Sequence, residues 1–354
     1  MTRVSPIAST IDYRLSTMTN SNKPAFPLEW QALVEQAANV LRELALDEEA
    51  KARFCSDPML RPFMHRVARR YVAGQTTPDA LGRVSQINAR GHAASAEYMG
   101  ESCRDESRAN AETEVFLALI GAISEGDLNC SVSLDLSHIG SVIDPELGFL
   151  NARKIARVAA ASGCEVMISM EGSDRADNIY HTYARLHADP GLANVGITVP
   201  AKLHRSAQDL PKLMKYPGRI RLVKGAFLEP AHIAYERNSP ELAACYRRFA
   251  AELLTSGHKC SIATHDRSIQ EDLTNLIMQQ NLFGRRHYEF ESLIGLGTEQ
   301  LDDLQRRGFP TREYAVYGEE YFLYVLNRIA EEPIRLYQAL VDIMAPPMYP
   351  RPAR

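Results

Sequence analysis

Short apolar or alternating segments and longer helical patterns succeed one another along most of the chain. Eight segments have the pattern of buried strands: 92–98, 130–136, 164–170, 195–201, 219–226, 260–265, 287–293 and 312–317. Helical patterns follow them, over 107–123, 148–161, 174–187, 206–214, 240–256, 267–279, 297–307 and 318–331. Eight alternating units predict an α/β fold with a parallel sheet, and this number fits a TIM-type (β/α)8 barrel better than an open sheet.

The region before the first strand has a helical pattern. Apolar residues recur three and four apart over 28–54, a basic helical stretch covers 60–73, and Pro78 begins another that runs to about Gly91. We therefore predict a flexible leader over 1–25, an N-terminal helical segment over 26–91, the barrel over 92–345 and a tail over 346–354.

The composition is that of a globular protein and does not favour nucleic acid as a partner. The chain has 354 residues, of which 45% are apolar and 24% charged, typical values for a globular protein. The net charge of −4 gives no basic excess that would favour nucleic acid as a partner. Six cysteines without a C-x-x-C pair, and no secretory signal or spanning apolar segment, predict a cytoplasmic protein without a metal site or transmembrane helix.

Polar residues alternate with apolar ones at the ends of several predicted strands. In 130–136, Ser131, Ser133 and Asp135 share one face, which we expect to point into the barrel. The same argument, extended to the other strand ends, gives a set of ionisable lumen residues: Asp135, Glu171, Lys224, His265, Glu289 and Glu291. Burying so many charges is costly unless they are used, and barrel active sites lie at the carboxyl ends of the strands. The pattern predicts an active site there.

Two further features carry candidate chemistry. Arg221 and Lys224 stand three apart at the end of a strand, and Gly225 can provide the bend that brings both to the rim. Lys224 could form a Schiff base, stabilise an anionic ligand or make a simple salt bridge. The last helical pattern aligns Tyr321, Tyr324, Arg328 and Glu331 on one stripe, which could close over the barrel mouth.

Several strings in order along 60–345 resemble proline dehydrogenases, which are FAD-containing distorted (β/α)8 barrels that oxidise the C–N bond of proline. The strings are Arg70-Tyr-Val-Ala-Gly74, Tyr98-Met-Gly-Glu101, Val195-Gly-Ile-Thr198, Arg221-Leu-Val-Lys-Gly-Ala-Phe227, Ala263-Thr-His-Asp266, Tyr288-Glu-Phe290, Tyr314-Ala-Val-Tyr-Gly318 and Arg328-Ile-Ala-Glu331. So many collinear matches make a chance resemblance very improbable.

The resemblance implies roles for individual residues. It places Arg221 beside the reactive flavin nitrogen, where a cation favours the reduced, anionic flavin. The cofactor-binding residues that it implies are Met170, Pro200, Arg221, Val223, Lys224, Gly225, Ala226, Thr264, His265 and Glu289. The substrate-binding residues are Asp135, Ser169, Lys202, Glu291, Tyr314, Tyr324, Asn327, Arg328 and Glu331. The catalytic candidates are Arg221, Lys224 and Asp135, the last as a group that steers or deprotonates an amine.

The chain departs from the family pattern where the family holds the carboxylate of proline. Asp135 replaces a lysine, Asn327-Arg328 replaces an arginine pair and Ser169 replaces an aspartate. The pocket is thereby more negative by about 2 charges, and one like-charge contact at ~4 Å costs about 4 kcal/mol at a dielectric constant of ~20. Three further differences concern polar positions: Pro200 and Glu291 replace glutamines, and Lys202 replaces a tyrosine.

We expect an FAD-dependent oxidoreductase that converts an amino-acid derivative or another amine to an imine, in a specialised biosynthetic pathway and not on free L-proline. One alternative is a true L-proline dehydrogenase that grips the carboxylate with Arg328 and Lys202. Others are a flavin-free lyase with Lys224 as Schiff-base lysine, and a non-catalytic barrel. The electron acceptor, whether quinone, oxygen or a partner protein, and a possible homo-oligomer stay open.

Overall fold

The computed structural model describes residues 28–100 and 102–344 and contains a closed barrel of eight parallel strands. Each strand pairs with the next one along the chain, and the eighth pairs with the first. The strands are β1 Ala93–Tyr98, β2 Cys130–Leu134, β3 Val166–Ile168, β4 Val195–Pro200, β5 Ile220–Val223, β6 Cys260–Ala263, β7 Tyr288–Leu293 and β8 Thr311–Tyr317. The predicted (β/α)8 barrel is confirmed, whereas the predicted leader and tail lie outside the described residues.

Helices precede the barrel and follow each of its strands. Those of the described residues are α1 Leu28–Ala45, α2 Glu48–Ser56, α3 Arg61–Tyr71, α4 Thr77–Ala89, α5 Glu106–Glu125, α6 Pro145–Ala161, α7 Ala176–Leu186, α8 Ser206–Leu213, α9 Pro240–Ser256, α10 Arg267–Gln279, α11 Thr298–Arg306, α12 Tyr321–Glu331 and α13 Arg335–Met344. Because a parallel pair of strands needs a crossover connection, a helix between every two strands follows directly from the parallel sheet.

The helical pattern over 28–54 corresponds to two helices, α1 and α2, with a short interruption between them. The interruption is at Leu46 and Asp47. Asp47 has an extended backbone, and its carboxylate accepts hydrogen bonds from the amides of Glu49 and Ala50, at 2.9 and 3.0 Å. A side chain that satisfies the free amides of a first turn begins a new helix, which the apolar spacing alone does not reveal.

The main core lies between the strands and the helices around them. The helix α5 shows the pattern: Ala109, Phe116, Leu119, Ile120 and Ile123 are buried at spacings of three, four and seven. The outward-facing strand residues are equally buried, among them Val132 and Leu134 of β2. The lumen is left to the polar side chains that alternate with them.

The chain divides into two compact units. The first comprises, of the described residues, 28–67, His265–Asp272 and 322–344. The second comprises Ala68–Thr264 and Leu273–Tyr321, and it contains all eight strands. In the part of the chain that the structure describes, no helix is long and apolar enough to cross a membrane.

Candidate active site

Arg221 of β5 occupies the interior of the barrel and is 4% exposed. Its Nη2 donates hydrogen bonds to the hydroxyls of Ser95 and Ser133, at 3.1 and 2.9 Å. Its Nε lies 2.9 Å from Oε1 of Glu291, and its guanidinium carbon lies 4.8 Å from the centre of the Tyr314 ring. Three of the residues expected at the site from sequence, Arg221, Glu291 and Tyr314, therefore lie together.

Glu97 of β1 belongs to the same group, although sequence reasoning missed it. Its Oε2 accepts hydrogen bonds from Ser169 Oγ, at 3.0 Å, and from the Tyr314 hydroxyl. Burial raises the pKa of Glu97, while the Tyr314 hydrogen bond and the charge of Arg221 act against this rise. The signal was present, because Ser95 and Glu97 alternate with alanines just as the polar residues of β2 alternate with apolar ones.

Two more carboxyl groups follow β2 and β3. Asp135 comes directly after β2, and its pKa is raised well above its usual range, first by burial and then by the charges of Glu97 and Glu171. Glu171 accepts a hydrogen bond from the amide of Ser137, at 3.1 Å, and pairs with Arg175. Asp135 forms no ion pair within the described residues, and only the charge of Arg175 and a hydrogen bond with Ser169 act against the rise of its pKa.

The end of β5 turns sharply at Gly225. Its φ is +107°, and a Cβ atom built there would lie 2.7 Å from Cγ and Cδ of Lys202 and 3.2 Å from Cβ of Pro200. The bend expected at this glycine is present. The Nζ of Lys202 donates a hydrogen bond to the carbonyl of Phe227, at 2.6 Å, and burial lowers the pKa of this lysine. Lys202 thus holds the loop that follows β5.

Gly225→Ala is expected to lower the free energy of unfolding by about 1–3 kcal/mol, because the side chain meets both a positive φ and the Lys202 stem. Gly163→Ala is the matched control. Gly163 has a φ of +68° but nothing within 4 Å of an added Cβ, so it carries only the backbone strain of about 1 kcal/mol. Urea unfolding measures both variants. Equal losses would show that the contact with Lys202 does not constrain this turn.

Glu289, expected among the cofactor contacts, is engaged elsewhere. Its carboxylate accepts hydrogen bonds from Arg312, at 2.7 and 3.2 Å, and from Ser261, at 2.5 Å, and it faces Arg219 at 3.4 Å. Glu289 lies two residues before Glu291 on β7, nearer the amino-terminal end of the barrel. Its contacts assign it to an internal ion-pair group and give no support to a role at a cofactor.

The other expected cofactor residues of the second compact unit lie at the carboxyl ends of β3 to β6. Thr264 is buried, and its amide donates a hydrogen bond to the carbonyl of Glu291, at 3.2 Å. Pro200 is buried at the end of β4. The remaining ones are partly accessible: Met170, Val223 and Lys224 are half-buried, and Ala226 is exposed.

The first compact unit holds the rest of the expected site residues. Along α12, the guanidinium carbon of Arg328 lies 5.2 Å from the Tyr324 ring, and Arg328 pairs with Glu331. Of the four residues of the predicted stripe, Tyr324, Arg328 and Glu331 thus form one contacting group, and the closure of the stripe over the barrel mouth stays a prediction. Arg335 also pairs with Glu331, at 3.5 Å. The Nε of Arg328 is buried and, among the described residues, lacks a hydrogen-bond partner.

Asn327 and His265 are half-buried in this unit. The roles expected for them, substrate binding for Asn327 and cofactor binding for His265, stay predictions. Among the described residues, no group of three or more histidine, cysteine, aspartate or glutamate side chains is placed to hold a metal ion.

The chain is similar to proteins of known activity over most of its length. The family model described as proline dehydrogenase matches residues 80–332. Proline dehydrogenase 1 of Bacillus subtilis is 32% identical over 278 residues, which are 78% of this chain and 90% of that protein. Proline dehydrogenase of Deinococcus radiodurans is 30% identical over 280 residues, with the same two shares.

Solved structures share the fold. The proline utilization A protein of Bdellovibrio bacteriovorus, inactivated by N-propargylglycine, superposes with a TM-score of 0.74 at 17% identity. It covers 96% of this chain, and this chain spans 43% of its length. A proline utilization A mutant of Bradyrhizobium japonicum gives a TM-score of 0.65 at 17% identity, with 96% of this chain and 45% of that one covered.

Proposed function

The chain belongs to the proline dehydrogenase family, and from this premise we propose that it oxidises a C–N bond of an amine other than free L-proline. Membership makes it an FAD-dependent oxidoreductase that acts on CH–NH donors. The product of such an oxidation is an imine. The proposed substrates are amino-acid derivatives with a masked carboxyl group, cyclic amines and linear amines with a second basic nitrogen.

The residues inside the barrel fit a flavin. Two buried polar atoms, Oγ1 of Thr198 and Oε2 of Glu291, have no hydrogen-bond partner within the described residues. An isoalloxazine ring carries both N–H donors and carbonyl acceptors, which are the groups that these two atoms lack.

The residues proposed to hold FAD are Met170, Pro200, Arg221, Val223, Lys224, Gly225, Ala226, Thr264 and His265. When bound, FAD supplies a hydride acceptor, while the protein supplies orientation and charge. Arg221 is fixed for that task by Ser95 and Ser133. Lys224 provides a second cation at the end of β5.

The observation that carries the proposal is the balance of charges beside Arg221. The carboxyl groups of this region are those of Glu97, Asp135, Glu171 and Glu291. Arg175 pairs with Glu171, and Arg221 pairs with Glu291. Glu97 and Asp135 stay without an ion pair in the part of the chain that the structure describes. In their ionised forms, these two carboxyls repel a carboxylate and attract an amine or its ammonium form.

Asp135 is also placed to take up the proton of an incoming ammonium. Burial and the charges of Glu97 and Glu171 raise its pKa well above its usual range, so it is a stronger proton acceptor than an ordinary aspartate. An amine must lose its extra proton before its neighbouring carbon can lose hydride. We therefore propose that Asp135 orients the amine and accepts this proton, with Glu97 as its neighbour.

The alternative of a true L-proline dehydrogenase is supported by the names of the relatives. A proline dehydrogenase of this kind needs a second cation, besides Arg328, to bind the carboxylate of proline. That cation was expected at Lys202, whose ammonium donates a hydrogen bond to the Phe227 carbonyl. The expected contact of Arg328 with a substrate oxygen stays a prediction, although its Nε has no hydrogen-bond partner among the described residues. Because Lys202 is already engaged with Phe227, its contacts favour oxidation of another amine over binding of the proline carboxylate.

Anaerobic reduction of the flavin distinguishes these functions. The purified protein is expected to show flavin absorbance, which is lost on addition of prolinamide, pyrrolidine or a linear diamine. Free L-proline is the comparison in the same assay. Bleaching by proline as efficient as by prolinamide would overturn the proposal in favour of the alternative. A colourless protein that borohydride links to a carbonyl compound would instead support the lyase with Lys224.

The remaining expectations stay predictions. They are a cytoplasmic location, a specialised biosynthetic pathway, a homo-oligomeric state, and an electron acceptor that is a quinone, oxygen or a partner protein.

A further inference from the structure

Arg221 and Glu291 form a buried ion pair between two strands, β5 and β7, that are not neighbours. Their side chains are 5% and 3% exposed, and the Nε and Oε1 atoms are 2.9 Å apart. Ser95 and Ser133 hold the Nη2 of Arg221 at the same time. The guanidinium is thus fixed in direction, and one carboxylate opposes its positive charge directly.

A second buried ion-pair group on β7 has a different charge balance. Glu289 uses both oxygens on Arg312 and also faces Arg219, so that two cations share one carboxylate. Glu291 pairs with one arginine, and its Oε2 is buried without a hydrogen-bond partner among the described residues. The charges of Arg221 and Glu291 cancel, and the second oxygen of Glu291 is left for a ligand.

This cancellation matters for any group that gains negative charge near Arg221. An unpaired guanidinium inside a barrel stabilises an anion strongly, because the surroundings have a low dielectric constant. A carboxylate 2.9 Å from the guanidinium removes most of that stabilisation at the distance of a neighbouring ligand. The charge of Glu97, which also acts on Arg221, works in the same direction.

We propose that Glu291 is a positioning residue that holds and neutralises Arg221, and thereby lowers the electron affinity of the flavin. The inference rests on the proposed function, because it takes FAD to lie against Arg221. A flavin of lower electron affinity passes its electrons on more readily to the acceptor. Glu291 therefore makes reduced FAD less stable, which favours its reoxidation by the electron acceptor.

Titration of the FAD-bound enzyme with sulfite tests this role, because sulfite binds to oxidised flavin and makes it negatively charged. Glu291→Gln keeps the shape of the side chain and removes its charge. We expect it to bind sulfite about tenfold more tightly than the wild type, which corresponds to a midpoint potential about 30 mV higher for a two-electron couple. Equilibration with a redox dye measures the potential independently.

Two comparisons separate charge from structure. Glu291→Asp keeps the charge and is expected to keep the sulfite affinity within about threefold of the wild type. Glu165→Gln removes a partly exposed carboxylate that pairs with Arg219 at the amino-terminal end of the barrel, and should leave the affinity unchanged. A tighter affinity in Glu291→Gln with both controls near the wild type supports the proposal.

A double variant covers the case in which Glu291→Gln does not fold. Arg221→Gln with Glu291→Gln removes both partners of the pair, which leaves no unpaired charge. It is expected to bind sulfite about tenfold more tightly than Arg221→Gln alone. Equal affinities in these two variants, or a flavin-bound Glu291→Gln with wild-type sulfite affinity and potential, overturn the inference and leave the proposed function standing. A wild-type protein that binds no flavin overturns both.

Discussion

Glu289→Gln is expected to lower the free energy of unfolding by about 3–5 kcal/mol, the largest loss of stability that we predict for a single substitution. Glu289 is 6% exposed and is the shared partner of two buried guanidinium groups. Arg312 is almost as buried as Glu289 and donates through both Nε and Nη2. Without the carboxylate, one positive charge stays inside the barrel with no partner of opposite sign, and its desolvation is not compensated.

The effect has a defined dependence on pH. Burial acts to raise the pKa of Glu289, but the charges of Arg312 and Arg219 outweigh it and lower the pKa from 4.5 to about 2. Because the carboxyl is more acidic in the folded than in the unfolded protein, its contribution is fully present above about pH 4.5. It disappears as the pH falls toward 2. The difference between wild type and variant should therefore shrink over this range.

Chemical denaturation at neutral pH and at several acidic values measures this difference. Glu165→Gln is the matched control, since Glu165 also pairs with Arg219 but its side chain is 28% exposed. We expect that control to lose less than about 1 kcal/mol. A loss of similar size in both variants, or a difference that does not change with pH, would contradict the role given to Glu289.

The alternation of residues along single strands accounts for what could be predicted about the barrel. Ser131, Ser133 and Asp135 alternate with apolar residues, and the structure places the two serine hydroxyls on Arg312 and Arg221. The bend at Gly225 follows equally from local rules. Such features depend on a few consecutive residues, and for that reason one sequence is enough to find them.

Pairings between distant strands could not be predicted in this way. Arg221 and Glu291 are 70 residues apart, and nothing in their spacing shows that one neutralises the other. Glu289 and Glu291 lie on the same face of their strand, so the alternation of residues predicts the same role for both. In the structure, Glu289 pairs with Arg312 and Glu291 pairs with Arg221. Which level of the barrel a side chain occupies depends on the register and stagger of all eight strands.

At pH values above the pKa of Asp135, the preference against free L-proline is expected to reach about a thousandfold, and ionised Asp135 to cause most of it. A like charge at ~4 Å costs about 4 kcal/mol at an effective dielectric constant of ~20, and every ~1.4 kcal/mol is a factor of ten. The pKa of Asp135 is raised well above its usual range by burial and by Glu97 and Glu171, so a carboxylate can bind only if a proton binds with it. An ammonium group has the opposite effect, because it stabilises the ionised form.

The preference for prolinamide over proline should accordingly grow as the pH rises through the pKa of Asp135 and shrink as it falls. Asp135→Asn removes the group that takes up the proton. We expect this variant to reduce the preference by about tenfold to a hundredfold and to abolish most of its pH dependence. Anaerobic flavin titrations with both compounds over a range of pH measure these quantities.

Asp174→Asn is the control, because the side chain of Asp174 is 80% exposed, and it should behave like the wild type. If Asp135→Asn kept the full preference and its pH dependence, the exclusion of proline would have to arise from the shape of the pocket, because its main uncompensated charge would already be gone.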